Sequence, residues 1–221
     1  MTAGFGAFGK IPGMGDFLKL NLPAGFVQTW DTWLQEGLLA GRAQLGSGWN
    51  DAYLSAPIWR FTLPAGLAGD QAISGILMAS VDRVGRQYPL TIATPHADIS
   101  PALNHFANRT VFERLEDIAL SALDDEFDRD ALMGALNTVS FINPTHAYLS
   151  HDTYVGVLPP VQVLAADSLA ASHGTSALWS AMMEGNHRLL LTRDLPRGAE
   201  IQGLFDLSAP IWAQAQVTET A

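Results

Sequence analysis

Apolar residues recur along this 221-residue chain with two periods, and the order in which the periods appear sets the expected fold. Phe5 to Ile11 reads as a short strand, stopped by Pro12, Gly13 and Gly15. Pro23 stands at a helix start, after which Phe26, Trp30, Trp33, Leu34 and Leu38 return every three to four residues. That spacing predicts an amphipathic helix ending near Gly46. Three apolar runs follow, Ile58 to Leu63, Ala72 to Val81 and Leu90 to Thr94, and their short connections suit an antiparallel meander. In such a meander Trp59 and Phe61 share one face while Arg60 and Thr62 share the other. Ser100-Pro101 opens a helix whose stripe of Val111, Leu115, Ile118, Ala119 and Ala122 runs to about Leu123, and Asp130 is expected to cap a shorter helix through Asn137. Val161 to Ala165 reads as a strand, and Ser176 to Met183 with Arg188 to Thr192 as a hairpin around Glu184-Gly185-Asn186. Strands and helices come in blocks rather than in strict alternation. The expected class is therefore α+β (mixed α/β), with a single central, mostly antiparallel sheet flanked by helices.

The length suits one domain, residues 1–221, whose core buries roughly 70% of the unfolded surface. Within it, residues 1–142 supply the N-terminal sheet and helices, 143–160 a connection, and 161–221 a hairpin and short helix joined to the same core. Tyr148, Tyr154, Val155 and Val157 want burial, so the connection is not read as a flexible linker. An apolar content of 48% against 15% charged residues excludes disorder for most of the chain. A net charge of −10 repels phosphate backbones and anionic lipid, which argues against nucleic-acid and membrane partners. The absence of cysteine excludes disulfides and thiolate metal sites and fits a cytoplasmic location. The amino terminus lacks the apolar core of a signal peptide, and Asn137, Thr138, Ser140 and Asn143 argue against a membrane span in the uncharged stretch 131–151.

Several chemical motifs are spelled here without their context. Gly4-Phe5-Gly6-Ala7-Phe8-Gly9-Lys10 satisfies the dinucleotide glycine pattern and most of a phosphate loop. Pro12, Gly13 and Gly15 prevent the helix whose N-terminus would hold phosphate, and Ile11 stands where a Ser or Thr must meet magnesium, so no cofactor is expected. Glu126, Asp128 and Asp130 alternate like calcium ligands, but Ala131 replaces the required glycine, and the acidic run Asp117 to Asp130 is read as a solvated face. His146 and His151, with Asp152, suggest a ligand set, yet Pro144 breaks any helix that would align them, so no metal site is expected either. No catalytic motif appears, and a non-enzymatic role is expected.

The densest chemistry lies in Ser80-Val81-Asp82-Arg83-Val84-Gly85-Arg86-Gln87-Tyr88-Pro89-Leu90. It places three charges between two apolar runs of a chain that has only twelve Lys plus Arg. Gly85 permits a left-handed backbone angle and Pro89 keeps its predecessor extended, so the loop should hold a fixed shape. Two readings compete: an ion-paired corner in which Arg83 or Arg86 clamps Asp82 and nearby carbonyls, and a surface for a ligand or partner.

This segment, with Gly6-Ala7-Phe8-Gly9-Lys10-Ile11-Pro12, Gly15-Asp16-Phe17, Trp30-Asp31-Thr32-Trp33-Leu34 and Pro57-Ile58-Trp59-Arg60-Phe61, resembles the bacterial type VI secretion accessory family called TagF or ImpM. The likeness is strong over residues 4–94 and loose beyond about 110. Ser176-Ala177-Leu178-Trp179 matches the weaker C-terminal half, but Ser180 stands where the resemblance leads one to expect a second tryptophan. The resemblance implies a cytoplasmic, post-translational repressor of secretion acting by protein binding, with the system's forkhead-associated scaffold protein as partner. Asp82, Arg83, Arg86, Trp59, Arg60 and Asp16 are the candidate contact residues, because tryptophan and arginine dominate interface energetics and the meander gathers most of these residues at one end of the sheet. Core burial is the competing reading of the six tryptophans. Two other function classes stay open: an enzyme acting on a small anionic substrate, with Arg83 and Arg86 as clamps and Asp82 or Asp16 as acid-base group, and a structural adaptor of the secretion machine.

Overall fold

The computed structural model describes residues 4–144, 148–150, 153–155, 159–183 and 187–213. In chain order, β1 (Gly6–Gly9) and β2 (Leu18–Leu20) form an antiparallel pair, followed by the long helix α1 (Ala24–Leu45) and the short α2 (Trp49–Leu54). Next come β3 (Trp59–Leu63), β4 (Ala72–Met78) and β5 (Leu90–His96), then α3 (Pro101–Ala107), α4 (Arg109–Ser121) and α5 (Arg129–Leu136). A small hairpin of β6 (Tyr148–Ser150) and β7 (Thr153–Val155) precedes α6 (Pro160–His173), β8 (Ala177–Ala181), β9 (Arg188–Thr192), α7 (Ala199–Phe205) and α8 (Pro210–Ala213).

Seven strands make one sheet in the order β2-β1-β5-β4-β3-β8-β9, antiparallel at every pairing. The expected meander is its centre, and the C-terminal hairpin extends the sheet by laying Trp179 beside Phe61. β3 and β4 are buried along their whole length because helices cover both faces, which is why they read as continuous rather than alternating runs. On one face Trp59, Phe61 and Leu63 pack with Trp30, Trp33 and Leu34 of α1 and with Ile201 and Phe205 of α7. On the other, Ile76, Met78 and Ile92 pack with Val111, Phe112 and Leu115 of α4 and Leu132 of α5, while Leu178 meets Ala102 of α3 and Ala166 of α6. Arg60 and Thr62 lie on this second face, as the period-two reading of β3 requires.

Four local expectations need correction. Val161 to Ala165 is helical, not extended: Pro160 occupies the first turn, where its missing N–H costs nothing, and the alanine-rich sequence beyond it carries the helix to His173. The helix begun at Ser100 is two helices, because Asn108 turns its side chain across the break, donating to the Asn104 and Ile142 carbonyls and accepting from the Ile142 N–H. Ser100 does cap α3. The cap of α5 is Asp128, whose carboxylate accepts from the Ala131 N–H, and Asp130 sits in the first turn. Finally, β2 and α2 were not anticipated, being too short to show a period. The turn at Glu184-Gly185-Asn186 and the pair His146 and His151 lie outside the described residues.

The aromatic cluster on the first face generates a prediction. Trp179 is fully buried among Trp30, Trp33 and Phe61, and its Nε1 has no partner among the described residues. Trp179→Ala should cost about 3–5 kcal/mol in urea unfolding. Trp179→Phe should cost less than half as much, because it also removes an unsatisfied buried N–H. Equal losses would show that the indole nitrogen carries no penalty.

Candidate functional site

The β4–β5 connection is a closed hairpin. Val81 bridges Gln87, the Asp82 N–H donates to the Arg86 carbonyl at 3.1 Å, and the Gly85 N–H donates to the Asp82 carbonyl at 2.8 Å. Gly85 takes φ +82°, the left-handed angle that the turn requires. The base is bolted to α2: Tyr53 Oη donates to the Ser80 carbonyl at 2.7 Å and accepts from the Ser80 N–H at 3.0 Å, while Trp49 Nε1 donates to Gln87 at 2.6 Å. Tyr88 Oη donates to Asp31 of α1 at 2.6 Å.

Asp82 is the centre of this corner, 1% exposed. Its Oδ1 accepts from the N–H groups of Val84 (3.1 Å) and Arg86 (2.8 Å). Its Oδ2 accepts from Lys10 Nζ at 2.9 Å and Arg86 Nε at 2.6 Å. Burial would raise the Asp82 carboxyl, but Lys10 and then the backbone and side-chain donors of Arg86, with the Val84 N–H, outweigh it and hold the group well below the usual carboxylate range. An acid so held stays ionised at neutral pH and has its lone pairs occupied, which does not suit the acid-base role considered for it.

The arginines extend the clamp to a second loop. Arg86 Nη2 donates to the Gly15 carbonyl at 3.0 Å, Arg83 Nη2 to the Gly13 carbonyl, and the Arg83 N–H to the Met14 carbonyl at 3.1 Å. The ion-paired corner is thus what the arginines build, while their outer surfaces stay exposed: the Arg86 side chain is 64% accessible and Val84 between them 72%. Asp16 and Phe17 lie beside them on the second loop, both exposed, and Asp16 has no hydrogen bond or ion pair among the described residues. Phe17 packs edge-on against Tyr88 at 4.8 Å and under Lys10 at 5.1 Å.

The sequence marks Lys10 as part of the family-like start and as the end of a mimicked phosphate loop, but not as a partner of Asp82. The glycines before it are strand β1, and Gly9, at φ +133°, turns the chain so that Lys10 reaches Asp82. The signal available in sequence was a lone lysine beside an apolar strand, opposite a lone buried acid. The other two candidates sit at the same end of the sheet but inside it. Trp59 is 1% exposed and donates Nε1 to the Leu204 carbonyl at 2.7 Å. Arg60, on the opposite face, makes a two-point ion pair with Glu116 of α4 at 2.6 and 2.8 Å. Neither side chain reaches the surface formed by Arg83, Val84, Arg86 and Phe17.

Because the folded Asp82 carboxyl is lowered, its contribution is complete above the unfolded value of about 4 and is lost as pH falls toward the folded value. Asp82→Asn should therefore be less stable than the wild type at pH 7, with the gap in urea midpoint narrowing as pH is lowered from 5 to 3. A gap independent of pH would mean that the charge of Asp82 is not what Lys10 and Arg86 hold.

Comparison with known proteins places this geometry. The search of curated proteins returns no match. The crystal structure of PA0076 from Pseudomonas aeruginosa PAO1 superposes with a TM-score of 0.75 at 31% identity, covering 93% of this chain and 95% of that one. The family described as the TagF N-terminal domain, type VI secretion system-associated, matches residues 6–139, which include β1, both loops of the corner and the whole central meander. The chain belongs to the TagF family of type VI secretion system-associated proteins.

Proposed function

We propose that this protein is a cytoplasmic, post-translational repressor of a type VI secretion system that acts by binding, with the system's forkhead-associated scaffold protein as its partner. Membership of the TagF family supports the system, and the surface around the β4–β5 hairpin supports the mode. The observation that carries the reading is that Val84 and the arginines on either side project from a backbone fixed by a buried carboxylate. A preorganised tip of one apolar and two guanidinium side chains loses little conformational entropy on docking, which is what a protein-binding hot spot needs. Phe17 adds an aromatic neighbour and Asp16 a charge of opposite sign. The catalytic alternative offers Asp82 or Asp16 as its acid-base group, and the four donors around the Asp82 carboxylate oppose the first of these.

Arg83→Ala should stay folded and shift stability by less than about 1 kcal/mol, since its carbonyl contact is made at the solvent. Arg86→Ala should also stay folded but cost about 1–3 kcal/mol, because it takes one of four donors from the buried Asp82 carboxylate. Both should weaken capture of the scaffold protein at least tenfold and release secretion in cells carrying the intact system. Folded variants that bind and repress normally would remove this surface from the regulatory contact. Normal binding with lost secretion control would favour an adaptor role instead.

A further inference from the structure

A cavity of about 310 Å³ opens on the second face of the sheet, between β3, β8, β9, α3 and α4. That volume is the space of about ten waters, at the lower end of small-molecule sites. Phe106, Phe112 and Leu189 give it apolar walls. Three of the chain's ten arginines, Arg60, Arg109 and Arg188, also line it, and no Asp or Glu does so among the described residues. In a chain of net charge −10 the lining is thus cationic, although Glu116 and Glu113 behind it pair with Arg60 and Arg109.

Two of the three arginines, Arg60 and Arg109, retain donors for a guest. Arg60 is 4% exposed, and Glu116 takes its Nε and Nη2, leaving Nη1 without a partner among the described residues. Arg109 gives only Nε to Glu113, in an exposed pair, so both of its NH2 groups remain. The cavity exists because position 180 is a serine: its side chain is short enough to leave the space open above β8.

We propose that this cavity binds a small amphiphilic oxyanion, an apolar body bearing one carboxylate or phosphate, held at its head by Arg60 and Arg109 and along its body by Phe106, Phe112 and Leu189. The site binds rather than transforms. Ser180 Oγ lies 2.8 Å from His105 Nε2, the spacing of a nucleophile and its base, but Thr62 rather than a carboxylate stands behind His105 Nδ1 at 3.0 Å. Burial, and then Arg60, push the His105 imidazole down to about 3, far from the range of a general base working near neutrality. The ligand site is separate from the hairpin surface and does not depend on the partner proposed for it.

Titration calorimetry on the purified full chain with octanoate, octyl phosphate and octanol tests the proposal. Expected is saturable binding of at least one of the two anions, one per chain, with octanol at least tenfold weaker; the tighter anion identifies the head group. Ser180→Trp should fill the cavity and abolish binding. Arg109→Glu, at an exposed position that leaves the fold intact, should weaken it at least tenfold, so the test stands even if the tryptophan variant fails to fold. Octanol binding as tightly as the anions, binding that survives Arg109→Glu, or no saturable binding of either anion would each overturn the proposal.

Discussion

Removing a carboxylate from water costs several kcal/mol after relaxation unless its oxygens find matched donors, and the N-terminal half of this chain is arranged around supplying them to Asp82. Two come from the backbone of its own hairpin and one from Arg86 four residues on, which explains why Gly85 must turn left-handed between them. The fourth comes from Lys10, across the β1–β5 pairing, and Gly9 must adopt a positive φ for it to arrive. One buried charge therefore fixes two loops that are 72 residues apart, and Arg86, which completes its shell, joins Arg83 in tying those loops carbonyl by carbonyl. The exposed tip inherits its rigidity from a group that is itself shut away from the surface.

The two faces of the sheet solve different problems. The first is aromatic, and its indoles are mostly anchored through Nε1: Trp30 to Thr91, Trp33 to the Pro196 carbonyl, Trp59 to the Leu204 carbonyl and Trp212 to the Gly203 carbonyl. These bonds draw α7, α8 and the segment before them onto the central strands, so that C-terminal residues close a core begun by α1. The second face is mixed. It carries Arg60 with Glu116, and a line of hydroxyls and imidazoles that an all-apolar reading of β3, β4 and β5 would not suggest.

What could be read from the sequence divides along the same physical lines. The long helix, the meander and the C-terminal hairpin were legible because their apolar residues repeat over enough positions to define a period. The segment 161–165 was misread because Val, Val and Leu over five residues fit either period; the deciding signals were Pro160 before it and alanine after it. The corner was half legible: the charges and Gly85 marked it, but Lys10 was hidden in a glycine pattern that mimics another chemistry. Trp59 and Arg60 were drawn to the same site because the meander brings them to that end of the sheet, which it does, but helices there enclose both faces. The cavity left no mark in periodicity. Its lining comes from elements scattered from Arg60 to Leu189, and Ser180 stood out only as a departure from the tryptophan that the resemblance leads one to expect.

The polar line on the second face runs unbroken from His96 through Ser74, Thr62 and His105 to Ser180, with successive separations of 2.9, 2.9, 3.0 and 2.8 Å. Each hydroxyl has one proton, and each neutral imidazole has one, so the links cannot choose their directions separately. If His96 carries its proton on Nε2, every bond points toward the cavity, His105 donates to Ser180, and the serine proton is left to face a guest. If His96 instead donates from Nδ1 to the Ala97 carbonyl, 2.8 Å away, the whole line reverses and Ser180 spends its proton on His105, offering the cavity only lone pairs. The tautomer of a histidine at the far end of β5 thus sets the polarity of the cavity floor, and an anion seated there would fix that tautomer across three strands of the sheet.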